Sequence, residues 1–301
     1  NGNPTVTCIA KGRKVYDTRT KKWGYSENPA MIIRDYLINT TFGSGRYINQ
    51  SMIDEDSFKD AANYCDAKVT SFDTQGRSIT EPRYRLNIVI NSKRSYLENL
   101  QSMLACCAGY LVFTKGQVAM RIERADNPVY AFDDDNIIQN SMSYSAASST
   151  ESPNKLNMKY IEPTLDWTSV SAIVEDLADQ KQQPVGRGKI VEKDVELIGV
   201  TSQCQALRLG KIYRDLIRLC PISIEFKTAM QALNLEPGDV VTISHNVVLE
   251  DNKVQPLFKD MPVRITEIRD DSGTYTIKAQ QYNPSIYDDR MGGSIKDYDY
   301  T

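Results

Sequence analysis

Apolar positions along this chain repeat with two periods, near two and near 3.6 residues, and the switches between them mark out the elements. Residues 4–17 read as a strand, with Val6, Cys8 and Ile9 ahead of Lys11-Gly12-Arg13-Lys14-Val15-Tyr16-Asp17. A turn-rich basic stretch, 18–25, carries Trp23. Asn28-Pro29 then sets a helix N-cap and first turn, because proline at that position forfeits no hydrogen bond. Ala30, Ile33, Tyr36 and Leu37 give that helix its buried face, and Gly43 and Gly45 close it. A second helix spans 54–65, capped by Asp54 or Asp56 and striped by Phe58, Ala61, Ala62 and Cys65. Strict alternation of Tyr84, Leu86, Ile88 and Ile90 predicts a strand over 83–90. Ser95-Tyr96-Leu97-Glu98 is a capping box that opens a third helix, with a predicted stripe of Leu97, Leu100, Met103, Leu104 and Cys107. A hairpin follows, 110–114 and 117–124, turning at Lys115-Gly116.

Beyond residue 127 the pattern becomes shorter-ranged and more polar. Residues 155–161 are the clearest strand there; 141–152, rich in Ser, Ala and Thr, reads as a loop or an irregular edge, and 168–188 as a flexible excursion through Gln180–Pro184 and Gly186-Arg187-Gly188. The strongest helix is 201–219, with a capping box at Ser202–Gln205, a face of Ala206, Leu209, Tyr213, Leu216 and Ile217, and Pro221 as its stop. Strands at 222–228, 239–245, 263–269 and 275–282 follow, separated by Glu236-Pro237-Gly238-Asp239 and Asp271-Ser272-Gly273 turns. The fold class this gives is α+β: an α/β domain, 24–126, embedded in a mostly β domain, 1–23 with 127–290, that carries the helix 201–219. Residues 291–301 read as a loose tail.

Composition narrows the function more than the fold. At 301 residues the chain is long enough for two domains, and 41% hydrophobic residues suffice for a real core. A net charge of −3 argues against a surface that coats nucleic acid. No apolar run approaches the roughly 20 residues that span a bilayer. The opening Asn1-Gly2-Asn3-Pro4 reads as a processed product or, in preference, a piece cut from a longer protein, with no signal peptide visible. Cys8, Cys65, Cys106, Cys107, Cys204 and Cys220 fit no zinc or disulfide spacing and are expected as reduced, mostly buried thiols.

Candidate chemistry is sparse. His245 is the sole histidine, expected at a strand end, with no sequence mark of the third group a triad needs. Asp133-Asp134-Asp135-Asn136 lacks the glycine and spacing of a calcium loop and reads as a solvated turn. Asp54-Glu55-Asp56 suits a helix N-terminus. Gly186-Arg187-Gly188-Lys189 and Gly43-Ser44-Gly45-Arg46 lack the context of phosphate or dinucleotide loops. Lys11, Arg13, Lys14, Arg19, Lys21 and Lys22, interleaved with Tyr16, Trp23 and Tyr25, read as a protein–protein rim or a solvated loop in preference to a nucleic-acid site. Seventeen tyrosines against seven phenylalanines lean toward wet contact surfaces. No residue is assigned a catalytic, cofactor-binding or metal-binding role.

The segments picked out above resemble, in order, the tail-tip proteins of the lambda-type tip attachment (protein J) family. Gly12–Asp17, Trp23, Asn28-Pro29-Ala30 and Arg34-Asp35-Tyr36-Leu37 resemble its opening. Ser57-Phe58 with Ala61-Ala62 and Cys65, residues 84–90, the 97–104 helix and Gly109-Tyr110-Leu111 resemble its next blocks. Gln205-Ala206 with Arg208 and Arg218, then Leu235-Glu236-Pro237-Gly238-Asp239-Val240-Val241, resemble a later one. The resemblance covers about residues 10–285. It implies a tail hub related to baseplate hubs, in which β-barrel-like tube domains of three subunits form a pseudo-six-fold ring. It also implies that the family's N-terminal part and its C-terminal fibronectin-like and receptor-binding regions lie outside this chain.

The expected function is therefore structural: a non-catalytic virion component at the tail tip, assembled in the bacterial cytoplasm and joining tail tube to tip. The resemblance implies a homotrimer in the full-length protein, contacts with distal tail and tube proteins and the tape measure protein, and no cofactor. DNA would pass without specific binding. Two other readings stand beside it, a tail-associated cell-wall hydrolase and a receptor- or carbohydrate-binding β module.

Overall fold

The structure, a computed structural model, describes residues 8–289 except 74–75, 91–92, 115, 148–151, 183–185 and 249–253. The expected tail, 291–301, and parts of the Lys115-Gly116 and Gln180–Pro184 turns thus lie outside the described residues.

The chain opens with strands β1 (Lys14–Asp17) and β2 (Lys22–Tyr25), then helices α1 (Pro29–Ile38) and α2 (Glu55–Asp66). Strands β3 (Lys68–Phe72) and β4 (Ser78–Pro82) form a hairpin. Helix α3 (Tyr96–Ala105) leads into a second hairpin, β5 (Gly109–Thr114) and β6 (Gln117–Ile122). Short strands β7 (Tyr130–Phe132) and β8 (Ser143–Ala146) precede β9 (Lys155–Glu162), β10 (Thr168–Glu175) and β11 (Glu192–Glu196). Helix α4 (Gln203–Leu219) is followed by β12 (Ile222–Thr228), β13 (Val240–Val248), β14 (Val254–Asp270) and β15 (Tyr275–Gln281). This is a mixed α+β chain.

Two sheets dominate. Strands β10-β9-β11 form one, with β10 antiparallel and β11 parallel to β9. The other is six-stranded, in the order β7-β13-β14-β15-β12-β8, with only β7 parallel to its neighbour. It is strongly curled. Phe132 of β7 meets Phe226 of β12 at 4.9 Å between ring centroids, although three strands separate them in the sheet. Tyr144 of β8 likewise reaches Phe258 of β14 at 5.6 Å. Register shifts around His245 in β13 and at Thr266 in β14 bend the strands, as bulges do. The barrel-like expectation takes the form of a curled sheet that stays open: β7 and β8 are its two edges and do not pair.

The core has three parts. The largest gathers the inner faces of α1, α2 and α3 with β5–β6, and continues through Leu156, Met158, Tyr160, Ala172 and Val174 to Ala206 and Leu209 of α4. A second fills the concave side of the six-stranded sheet around Phe132, Phe226, Ile243 and Ile277. A third, of Ile212, Cys220, Val240, Tyr282, Ile286 and Tyr287, wedges between the end of α4 and that sheet. Helix α4 contributes to the first and the third and so joins those two.

Several local expectations need correction. The first strand begins only at Lys14; residues 8–13 have no regular structure. Residues 83–90 are extended and bury Tyr84 and Leu86, but belong to no ladder. Their amides instead find separate acceptors: Arg83 N–H donates to Ala67, Tyr84 to Cys65, Leu86 to Glu27 and Asn87 to Gly199. The α3 stripe holds at Leu100, Met103, Leu104 and Cys107 and fails only at Leu97, which is 61% exposed, while Asn99 and Cys106 are buried besides. Of the loop or irregular edge expected over 141–152, Ser143–Ala146 takes the edge form and pairs with β12, whereas Thr168–Glu175, inside the expected excursion, pairs along its length with β9.

Candidate functional site

The motifs legible in the sequence turn out to be joints. Asn28 caps α1 by accepting from Ala30 N (3.0 Å) and Met31 N (3.3 Å), and its Nδ2 donates to Ala62 O of α2 at 2.9 Å. One side chain thus fixes a helix start and its neighbour. Arg34, buried in α1, makes a bidentate pair with Glu55 at the start of α2, while Asp35 accepts from Arg13 Nε at 3.0 Å. The Gly43–Gly45 loop folds onto the last turn of α1: Ser44 N donates to Tyr36 O and Gly45 N to Asn39 O. A Cβ at Gly43 would lie 1.8 Å from Tyr36 O, so only glycine allows that approach.

At the start of α4, Ser202 accepts from Gln205 N at 3.3 Å, but Gln205 does not return the bond as a capping box would. Its amide accepts from Arg85 N and donates to Arg85 O and Cys106 O, which stitches the extended 83–87 segment and the end of α3 to α4. Beside it Arg208 and Glu81 form a buried ion pair, 3% and 6% exposed in their side chains, at 3.3 Å. Ser71 Oγ (2.6 Å), Ser202 Oγ and Arg85 also donate to the Glu81 carboxylate. A charge held so deep requires such partners, because desolvating it alone costs several kcal/mol (on the order of 5). Arg218, the last basic residue of the motif, pairs with Asp176 at 2.8 Å.

The 235–241 turn does more than reverse the chain. Gly238, at φ +100°, donates its N–H to Ile265 O at 2.7 Å and accepts from Arg264 Nη1 at 3.0 Å. Glu236 accepts from Arg121 Nη2 (2.9 Å) and Thr114 Oγ1 (3.2 Å), so the turn docks onto the β5–β6 hairpin. Arg264 of β14 is buried against Tyr282 and Tyr287 and donates to Arg124 O, Gly238 O and Asp126. Burial alone would lower its pKa; Glu123 and Tyr110 outweigh that and hold it above the usual arginine range. This clamp locks the six-stranded sheet to the hairpin half of the chain. The turn is legible in the sequence but its partners are not: Arg121 and Thr114 lie more than a hundred residues before Glu236, and Arg264 lies 26 residues beyond Gly238.

The residues with chemical potential are dispersed. His245 Nδ1 lies 2.5 Å from Asp134 Oδ1, a partner that the sequence did not signal. Asn246 N and Nδ2 also donate to Asp134. Burial works to raise the Asp134 pKa, and the donors from Asn246 and His245 reverse it, so the carboxyl titrates below its ordinary value. Among the described residues the ring makes no further hydrogen bond; neighbouring Ser244 Oγ faces Asp260 at 3.2 Å. The pair therefore pins the 133–136 turn to the β13 bulge. Within that turn Asp133 and Asn136 bond each other's backbones. Among the described residues no three His, Cys, Asp or Glu side chains gather in a way that could hold a metal ion. Nor does any helix among them have the length and apolarity to cross a membrane.

Cys65, Cys106, Cys107, Cys204 and Cys220 are buried and free, and Cys8 is exposed. Burial pushes the Cys106 thiol up to about 12 and that of Cys220 to about 11, far from thiolate reactivity. Arg187 of the Gly186–Gly188 loop is spent on Asp179 at 2.7 Å, which also accepts from Asn154. In the basic cluster Arg13 and Arg19 pair with Asp35, Asp17 and Asp66, and Lys11 lies over the Tyr25 ring. Trp23, beside Tyr16, remains 63% exposed.

What the surface does offer is strand edges. The outer edges of β7, β8, β10 and β11 have no strand partner among the described residues. Unpaired edges invite another chain unless charge or brevity protects them. Strand β11 is protected by Glu192, Lys193, Asp194 and Glu196, and β7 is three residues long and runs into Asp133–Asp135.

Comparison with known proteins places this arrangement. The model of the family described as "Putative phage tail protein" matches residues 95–268, more than half of the chain. The tip attachment protein J of Escherichia phage SECphi27 is 24% identical over 228 residues, which take in 75% of this chain and 18% of that protein. Among solved structures, a chain of the virion of a native gene transfer agent particle superposes with a TM-score of 0.51 at 15% identity, covering 67% of this chain and 43% of that one. The 43 kDa tail protein of prophage MuSo2 from Shewanella oneidensis gives 0.41 at 16% identity, over 69% and 60%. The first of these structures shares the fold; the family match identifies the chain, which belongs to the phage tail proteins.

Proposed function

We propose that the chain is the central scaffold of a tail-tip hub: non-catalytic, trimeric in the full-length protein, and part of the wall of the tube through which DNA leaves. The observation that carries this reading is the clamp of Glu236, Gly238 and Arg264. It ties a curled sheet rigidly to the helical half, as a load-transmitting ring subunit requires, and uses the most recognisable motif of the chain to do it. In this reading 24–126 is the α/β domain, and 1–23 with 127–290, including the 201–219 helix, is the hub domain, the two sharing the core that runs through β9, β10 and α4. Its partners are the distal tail and tube proteins and the tape measure protein, met during assembly in the host cytoplasm. DNA passes without specific contacts, in keeping with the net charge of −3.

Light scattering of the full-length protein at micromolar concentration tests the oligomer: a trimer is expected, and a strict monomer would count against the hub. Incubation with purified peptidoglycan tests the non-catalytic part, since release of soluble fragments, abolished by one Asp or Glu substitution, would replace the scaffold with a hydrolase. Removal of Asp134, the partner of the sole histidine, is the first substitution to try in that event.

A further inference from the structure

We infer that the outer edges of β8 and β10 are the two halves of one contact between copies of this chain, with β10 of one copy adding to the β8 edge of the next. Strand β10 is paired along all eight residues to β9 on its inner side, and no strand among the described residues pairs with its outer side. From Thr168 through Val174 it carries no charge, and Ile173 stands 53% exposed. The opposite edge of the same sheet, β11, is charged at four of its five positions. The protection usual for an edge is thus present on one side of the sheet and missing on the other.

Strand β8 has the matching character. Ser143, Tyr144, Ser145 and Ala146 are all exposed and uncharged, and among the described residues β8 ends the six-stranded sheet with β12 as its one strand neighbour. Tyr144 is 57% exposed. An aromatic residue on one strand and a β-branched residue on the other form a favourable cross-strand pair, and neither edge brings a charge that would be stripped of water. The occupant follows from charge. Copies of a chain with a net charge of −3 repel one another, and they approach at least cost where both surfaces are uncharged. A contact between two different patches is head-to-tail, and such contacts close into rings when the rotation permits. The inference rests on the trimeric reading proposed above and specifies its interface.

The test uses the full-length protein carrying Cys8→Ser, because Cys8 is the exposed cysteine among those described. Ser145→Cys and Ser169→Cys copies are produced separately and co-expressed, then treated with a short bismaleimide. Cross-linked dimers in the co-expressed sample alone are the expected result. Cross-linking of Ser169→Cys copies with themselves, or none in any sample that light scattering shows to be trimeric, would overturn the interface and leave the hub reading standing. A monomeric preparation would overturn both. As a second measure, Ser171→Lys places a charge at an exposed position in the middle of the open edge. It is expected to weaken self-association at least about tenfold with an unchanged thermal melt; unchanged association would refute the proposal.

Discussion

Replacing Gly238 with alanine isolates the clamp better than any charge substitution. Two costs combine at this site. The backbone sits at φ +100°, a region that a residue with a Cβ enters at roughly 1–3 kcal/mol. The new Cβ would also lie 2.5 Å from the Tyr110 hydroxyl and 3.3 Å from two ring carbons, closer than such atoms come. Tyr110 has limited room to yield, because it is half-buried beside Arg264, whose guanidinium also holds Gly238 O. Gly273 supplies the control. Its φ is +95°, and a Cβ there meets nothing within 4 Å. Gly273→Ala therefore measures the backbone cost alone, about 1–2 kcal/mol, and Gly238→Ala should lose about 2–3 kcal/mol more. Urea unfolding of each variant, with Tyr110→Phe added to Gly238→Ala, gives the difference and its source. The phenylalanine should recover part of the excess, since it removes the nearest atom. Equal losses at the two glycines, or no recovery in the double variant, would show that the turn does not press on the hairpin and would remove the basis of the clamp.

Three further outcomes follow from the same geometry. Arg208→Met should cost about 1–3 kcal/mol, because buried Glu81 loses one of its two cations and keeps only Arg85, and Arg208→Met with Glu81→Met should cost less than the single change; urea unfolding of both decides it. Asp17 and Asp179 have pKa values lowered chiefly by hydrogen bonds from Arg19 and Arg187. A depressed carboxyl contributes stability above its unfolded value, near 3.8, and that stability is lost as pH falls through the lower folded value. The gap in unfolding free energy between the native protein and Asp179→Asn should therefore be constant from pH 7 to 5 and shrink below pH 4; a gap that widens there would refute the pairing. Finally, a thiol reagent at pH 8 should label Cys8 rapidly in the native protein, with the other five cysteines reacting only in denaturant, and rapid native labelling of Cys106 would contradict its burial.

The elements that were legible in the sequence are those specified by neighbours in the chain. Helix α2 follows from Asp54 as cap and a stripe of four buried residues, all within twelve positions. Strand β12 matches its expected bounds because its alternation and its stop are both local. Strand β14 does not. Expected to begin at Val263, it starts at Val254 and runs through Pro256 and Pro262, which read as breakers. The prolines are tolerated because β15 pairs only from Val263 onward, so residues 254–262 have a ladder on one side alone. Nothing in the local pattern reveals which side of a strand will be empty. The same holds for residues 83–90, whose period of two is real but whose amides are satisfied by acceptors on three separate elements.

That difference bears on how function can be read in a chain of this kind. Enzyme motifs are recognisable because reacting groups must be of particular types, whereas Asn28, Gln205, Glu236 and Gly238 are recognisable here because each occupies a joint between distant segments. Asn28 ties α1 to α2, Gln205 ties α4 to the 83–87 segment and α3, and Glu236 with Gly238 ties the sheet to the β5–β6 hairpin. A substitution at a joint changes the relation between parts and leaves each part able to form. Its consequence should thus appear as failed assembly before it appears as failed folding, which is the signature expected of a scaffold and is opposite to that of an active site, where chemistry is lost while the assembly persists.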